Sequence, residues 1–139
     1  MPEPDPAAAI AERLRRIAHV ALDLDGTIYR GDTLFPWTPG FLAKLERLGI
    51  GHTFPTNNPS MLTGILERHA LTPERLAMVG DRLYTDVAMA HRAGALGVLV
   101  LSGEATREDA DRAVPPPDVI VNTLAEFGDL LAAARAGGP

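Results

Sequence analysis

We read this chain as an α/β domain built on a largely parallel sheet, on three grounds. Five short apolar runs alternate with segments of helical periodicity. The runs are apolar almost throughout, as strands covered on both faces are. Strand–helix–strand order then favours right-handed crossovers and one continuous sheet.

From Ala7 to Ile17, Ile10, Leu14 and Ile17 recur at helical spacing while Glu12, Arg13, Arg15 and Arg16 fill the other face, giving an amphipathic helix. The Arg13/Arg15/Arg16 cluster reads as a solvated helix face, with an anion patch as the sharper alternative. His19 to Leu24 is a buried strand running into acidic residues and Gly26. Gly31, Asp32, Pro36 and Pro39 punctuate a loop. Phe41 to Leu48 is a helix closed by Gly49. Ile50 to Thr56 is the second strand, and its Pro55 suits an end or an edge. Ser60 to His69 is helical, and Thr72-Pro73 marks a turn. Leu76 to Val79 is the third strand, stopped by Gly80-Asp81. Asp86 to Ala93 is a helix ended by Gly94, and Gly97 to Leu101 is the fourth strand. Thr106 to Ala113 forms a helical turn, Pro115 to Pro117 a stiff connector, Val119 to Val121 the fifth strand and Leu124 to Ala134 the closing helix. Residues 1–6, with three prolines, and 136–139 are expected to fray. Residues 1–139 read as one domain.

Composition narrows the function. The 139 residues are 46% hydrophobic and 22% charged, the balance of a globular domain. Eighteen acidic against thirteen basic residues leave a net charge of −5, which argues against a general grip on nucleic acid or an anionic membrane. The absence of cysteine excludes disulfides, zinc thiolates and a cysteine nucleophile together. No apolar run approaches the roughly 20 residues of a membrane span. The opening MPEPDPAAAI lacks the features of a secretory signal, so a cytoplasmic location is expected.

In parallel sheets ligands sit beyond the carboxyl ends of the strands. The first strand ends Asp23-Leu24-Asp25-Gly26-Thr27. Residues two apart in a strand face the same way, so Asp23 and Asp25 share one site. A carboxylate pair of this kind suits a hard cation such as Mg²⁺, or a nucleophile with an acid/base partner. A polar strand end with a glycine turn is the plainer alternative. The second strand ends Thr56-Asn57-Asn58, an anion seat or a helix cap. The third ends Gly80-Asp81-Arg82, with Thr85-Asp86 beyond. Asp81 completes an oxygen-ligand set, while Asp86 holds a metal-bound water or caps the next helix. Arg82 reaches a phosphate or pairs with a nearby carboxylate. Phe35 and Trp37 either touch substrate or plug the loop after the first strand.

The segments DLDGTIYRGDTLFP, TFPTNNPS and MVGDRLYTDVAMAHRAG resemble the haloacid dehalogenase (HAD) superfamily of phosphohydrolases, most closely its sugar-phosphatase and 4-nitrophenylphosphatase-like branch (subclass IIA). GVLVLSGEATREDADRA and PDVIVNTLAEF are similar to the same branch, so the likeness runs from about Val20 to Leu131. It implies a Rossmann-like three-layer α/β/α sandwich with a mainly parallel five-stranded sheet. It also implies a phosphatase in which Asp23 is the nucleophile and becomes an aspartyl-phosphate, while Asp25 is the general acid and base. Thr56 and the amide of Asn57 would bind the phosphoryl group. Mg²⁺ would be held by Asp23, the main-chain carbonyl of Asp25 and Asp81, with Asp86 orienting the water around the metal. The implied substrate is a phosphorylated small molecule.

The chain departs from that pattern at one seam. The branch carries a lysine in a sequence like GKPSPAML, whereas Thr56 to Leu62 contains no basic residue. Arg68 and Arg75 are a helix or more downstream. TNNPS runs straight into MLTGILERHAL, so a helix, a strand, the cap and the lysine are together missing near 56–61. The core is therefore expected to be capless, with weak and unselective turnover. Its alternative is a catalytically impaired binding or scaffolding domain. The expected strand order is 5-4-3-1-2, which leaves Ile50–Thr56 as an edge open to self-pairing and to a homodimer.

Overall fold

A computed structural model describes residues 6–54 and 61–136. Five parallel strands form one sheet in the order β4-β1-β5-β6-β7: β1 (His19–Leu22), β4 (Gly51–Thr53), β5 (Leu76–Gly80), β6 (Leu96–Val100) and β7 (Val119–Val121). This is the expected order, with β4 at the edge. In register, Val20 lies opposite His52 and Ala77, and Val79 opposite Val98.

Side-chain alternation builds two apolar layers. Val20 and Leu22 of β1 and Ala77 and Val79 of β5 face one cluster, completed by Leu14, Phe41, Leu45, Phe127 and Leu131. These last five come from α1 (Pro6–Arg16), α2 (Thr38–Leu48) and α6 (Leu124–Ala136). Ala21, Leu76 and Met78 face the other side, against Leu62 and Ile65 of α3 (Met61–Arg68) and Ala90 of α4 (Ala88–Ala93). The result is a three-layer α/β/α sandwich. Phe127 is fully buried and meets Phe41 at 6.2 Å between ring centres. Gly128 lets α6 approach α2, since a Cβ there would lie 3.2 Å from Phe41 Cδ1.

The stops at Gly49 and Gly94 are as the sequence implies, with φ of 72° and 77°. Thr106 and Asp109 close a capping box on α5 (Arg107–Arg112). Three elements differ from the sequence reading. The stretch read as a loop contains a hairpin, β2 (Tyr29–Arg30) with β3 (Thr33–Leu34), turned at Gly31 with φ of 62°. The helix read from Asp86 begins as a π-helical turn, Leu83–Val87. The second strand is shorter than Ile50–Thr56, and residues 55–60 lie outside the described residues. Of the two roles open to Phe35 and Trp37, the structure shows the plug: their rings stack at 4.8 Å, and Trp37 packs on the main apolar cluster.

Candidate active site

The carboxyl end of the sheet brings together acids from two distant segments. The backbone N–H of Asp23 donates to Val79 O at 2.9 Å, extending the β1–β5 ladder by one bond and fixing where the Asp23 side chain leaves the sheet. Asp81 follows β5 directly, and Asp86 lies in the π-helical turn. One carboxylate oxygen from each of Asp23, Asp81 and Asp86 lies within 4.8 Å of the others. Asp81 and Asp86 are buried, at 4% and 6% exposure.

Backbone groups aim Asp81 and Asp86. Asp81 Oδ2 accepts the Glu104 N–H at 2.9 Å, and Ala105 N–H donates to the Asp81 carbonyl at 3.1 Å. Two glycines make room for it. A Cβ on Gly26, whose φ is +84°, would stand 2.7 Å from Asp81 Cγ, and one on Gly103 would stand 2.6 Å from it. Asp86 Oδ2 accepts the Arg82 N–H at 3.2 Å. A Cβ on Gly80 would lie 2.5 Å from Asp86 Cβ, so the glycine clears that turn. Ser102 Oγ donates to Gly26 O at 2.8 Å, tying the loop after β6 to the turn after β1.

Asp25 occupies a different position. It is exposed, bridges to Tyr29, and its Oδ1 accepts the Gly31 N–H at 3.1 Å. The hairpin therefore holds its carboxylate at the rim, and its side chain is not part of the three-acid group. Thr56 and Asn57 lie outside the described residues. Arg82 Nε pairs with Glu104 Oε2 at 3.0 Å. Arg75 is excluded from this end of the sheet, because its carbonyl accepts the Ala18 N–H at the start of β1.

A family model described as HAD-hydrolase-like matches residues 56–127, just over half of the chain. The chain belongs to the HAD-hydrolase-like family. Chronophin from Homo sapiens is 43% identical over 77 residues, which are 54% of this chain and 26% of that protein. The human protein Bargin is 43% identical over 53 residues, 38% of this chain and 8% of Bargin. The chain thus spans about a quarter or less of the curated relatives it matches. Among solved structures, 4-nitrophenylphosphatase from Thermotoga maritima superposes with a TM-score of 0.78 at 20% identity, covering 84% of this chain and 98% of that one. The 3-deoxy-D-manno-octulosonate 8-phosphate phosphatase from Moraxella catarrhalis, in complex with magnesium, phosphate and KDO, gives 0.70 at 18% identity, covering 92% of each chain. At these identities the likeness establishes the fold.

The electrostatics of this HAD-hydrolase-like site are those of clustered carboxylates held away from water. Burial raises the Asp23 carboxyl above its ordinary value and the Asp81 charge adds to this, while the Leu24 backbone N–H and Arg82 pull it back. Asp86 is pushed up to about 7, first by burial and then by the Asp23 charge. Among the described residues Asp81 Oδ1 is buried with no hydrogen-bond partner, an arrangement that costs energy unless a ligand uses the oxygen. Three hard oxygen donors, one of them orphaned and seated between two glycines, fit a divalent cation of the Mg²⁺ type. Gly103 and Glu104 are walls of the site that sequence reasoning missed. Their only signal was the resemblance of the LSGEAT stretch, which carries no chemistry of its own.

Proposed function

We propose that this chain is a magnesium-dependent phosphohydrolase core that cleaves small phosphomonoesters through Asp23. The observation that carries the reading is the convergence of Asp23, Asp81 and Asp86 around a buried, unpartnered carboxylate oxygen. Asp23, Asp81 and the Asp25 carbonyl would hold the ion, with Asp86 ordering its water shell. When bound, Mg²⁺ neutralises charge on the carboxylates and on the phosphoryl oxygens. Magnesium and phosphate accompany the Moraxella catarrhalis phosphatase whose fold this chain shares, which supports the choice of ion.

An Asp23 oxygen attacks phosphorus, the bond from phosphorus to the ester oxygen breaks, and Asp25 protonates the departing oxygen. Asp25 then takes a proton from water as that water attacks the aspartyl-phosphate, releasing phosphate and restoring Asp23. The rim position of Asp25, steadied by the Gly31 N–H, suits a group that meets both leaving group and water. Thr56 and the Asn57 amide are assigned to the phosphoryl oxygens.

Residues 56–62 contain no cation, and loss of one pre-organised charge donor costs roughly 10²–10³ in turnover. We therefore assign weak, unselective activity to a capless cytoplasmic core, with a homodimer through the β4 edge. The same missing cation favours a second reading, a HAD-fold scaffolding domain that keeps the ion and has lost turnover. Hydrolysis of 4-nitrophenyl phosphate decides between them. The first reading expects a magnesium-dependent rate that falls by about 10³ or more in Asp23→Asn. Equal background rates for both proteins, with and without magnesium, establish the second.

A further inference from the structure

A second concave surface lies at the amino end of the sheet, away from the aspartates. Its cavity of about 320 Å³ is lined by Arg15, Arg16, Arg75, Arg135, Glu74 and Gly49, where α1, α2 and α6 end and β5 begins. Four arginines there face one carboxylate. Glu12 adds a second, pairing with Arg15 at 3.3 Å and Arg16 at 3.2 Å. Among the described residues the local balance is +2, in a chain of formal charge −5.

Part of this charge answers helix carbonyls, which favour cations at helix C-termini. Arg15 Nε donates to Ala134 O at 3.3 Å, and Arg135 Nη2 donates to Ile17 O. The remainder has no such use. Among the described residues Arg135 Nε is buried without a partner, and burial holds its guanidinium below its ordinary pKa. Among the described residues Arg75 makes no salt bridge. Unspent guanidinium donors in a fork geometry match phosphate oxygens better than a single-point anion.

We propose that this basin binds a dianionic phosphate group, free or esterified to a small molecule, at a site separate from the aspartate cluster. A dianion balances the local +2, and the volume sits at the lower end of the roughly 300–1,000 Å³ range of ligand pockets. The site stands independently of any chemistry at Asp23.

The test is an NMR titration of the full chain without divalent cations, at constant ionic strength and at a pH where phosphate is dianionic. Under these conditions the uncompensated aspartates repel phosphate and do not compete. Inorganic phosphate is one arm and phenyl phosphate the other. The expected result is saturable movement of the Ala18 and Gly49 amide signals, with Gly26 and Gly103 at the far end still. Arg75→Gln, an exposed position, should weaken the response roughly tenfold and leave the spectrum otherwise folded. Saturation by phenyl phosphate alone assigns an ester as ligand, and saturation by both assigns the phosphate group itself. Linear drift equal to that given by chloride, or undiminished saturation in Arg75→Gln, overturns the proposal.

Discussion

At the carboxyl end of the sheet Asp81 and Asp86 are only 4% and 6% exposed; at the amino end Arg75 is exposed and Arg135 half-buried. Both ends gather like charge, but burial makes the consequences unequal. Water screens the more exposed arginines, and helix carbonyls take some of their donors, which lowers the cost of holding that charge together. Burial is deeper at the aspartates and is the main reason that the Asp23 and Asp86 carboxyls are raised, with the charges of the neighbouring acids adding to it. The lesson is that like charges cost more where the fold removes them from water, and burial is deeper at the carboxyl end of this sheet than at the amino end.

The contrast breaks most severely if the glycine seat of Asp81 is filled. Gly26→Val sets a side chain at a φ of +84° and against Asp81 Cγ. Positive-φ strain and overpacking together should cost roughly 2–5 kcal/mol, with metal-dependent stabilisation lost, as read by thermal melts with and without magnesium. A smaller effect sharpens the amino end. His19 is 5% exposed, contacts Thr53 Oγ1 at 2.7 Å and meets the His69 ring at a tilt of 30°, with 4.4 Å between ring centres. Its pKa is lowered to about 4, by burial first and then by the charges of His69 and His52. The unfolded chain therefore binds the extra proton across the window between about 4 and the ordinary value of 6.5. The His19 contribution is full above that window and declines as pH falls through it, by on the order of 2–3 kcal/mol. Asp86, raised to about 7, acts in the opposite direction over the same range, so the measurement is the difference between two proteins: in denaturant melts wild type should lose stability relative to His19→Asn as pH falls. The smallest effect belongs to Arg75→Gln, which should move stability by less than about 0.5 kcal/mol in the same melts.

Much of the carboxyl end was legible because it obeys register. A parallel sheet must deliver the residues just past β1 and β5 to one edge, so Asp23 and Asp81 could be placed together from strand ends alone. Gly26, read as a turn glycine, has the positive φ that such a turn requires. Asp86 was ambiguous between cap and site, and the π-helical turn lets it serve in both places, accepting the Arg82 N–H while its carboxylate lies near Asp23 and Asp81. A five-residue change of helical pitch leaves no mark on a 3.6-residue periodicity. The hairpin was missed for a similar reason: strands of two residues show no alternation, and local bonds such as Gly31 N–H to Asp25 hold it. Gly103 and the orphaned Asp81 oxygen arise from a tertiary approach of the loop after β6, which no local pattern encodes.

That three aspartates form one cation site is tested most directly by calorimetric titration of magnesium into wild type and Asp81→Asn, with melts of both. The expected result is saturable binding of one ion to wild type, a raised melting temperature on binding, and neither in Asp81→Asn. Metal-free Asp81→Asn should melt at or above metal-free wild type, because one of the repelling charges is gone. No saturable binding to wild type, or equal binding by both proteins, would contradict it.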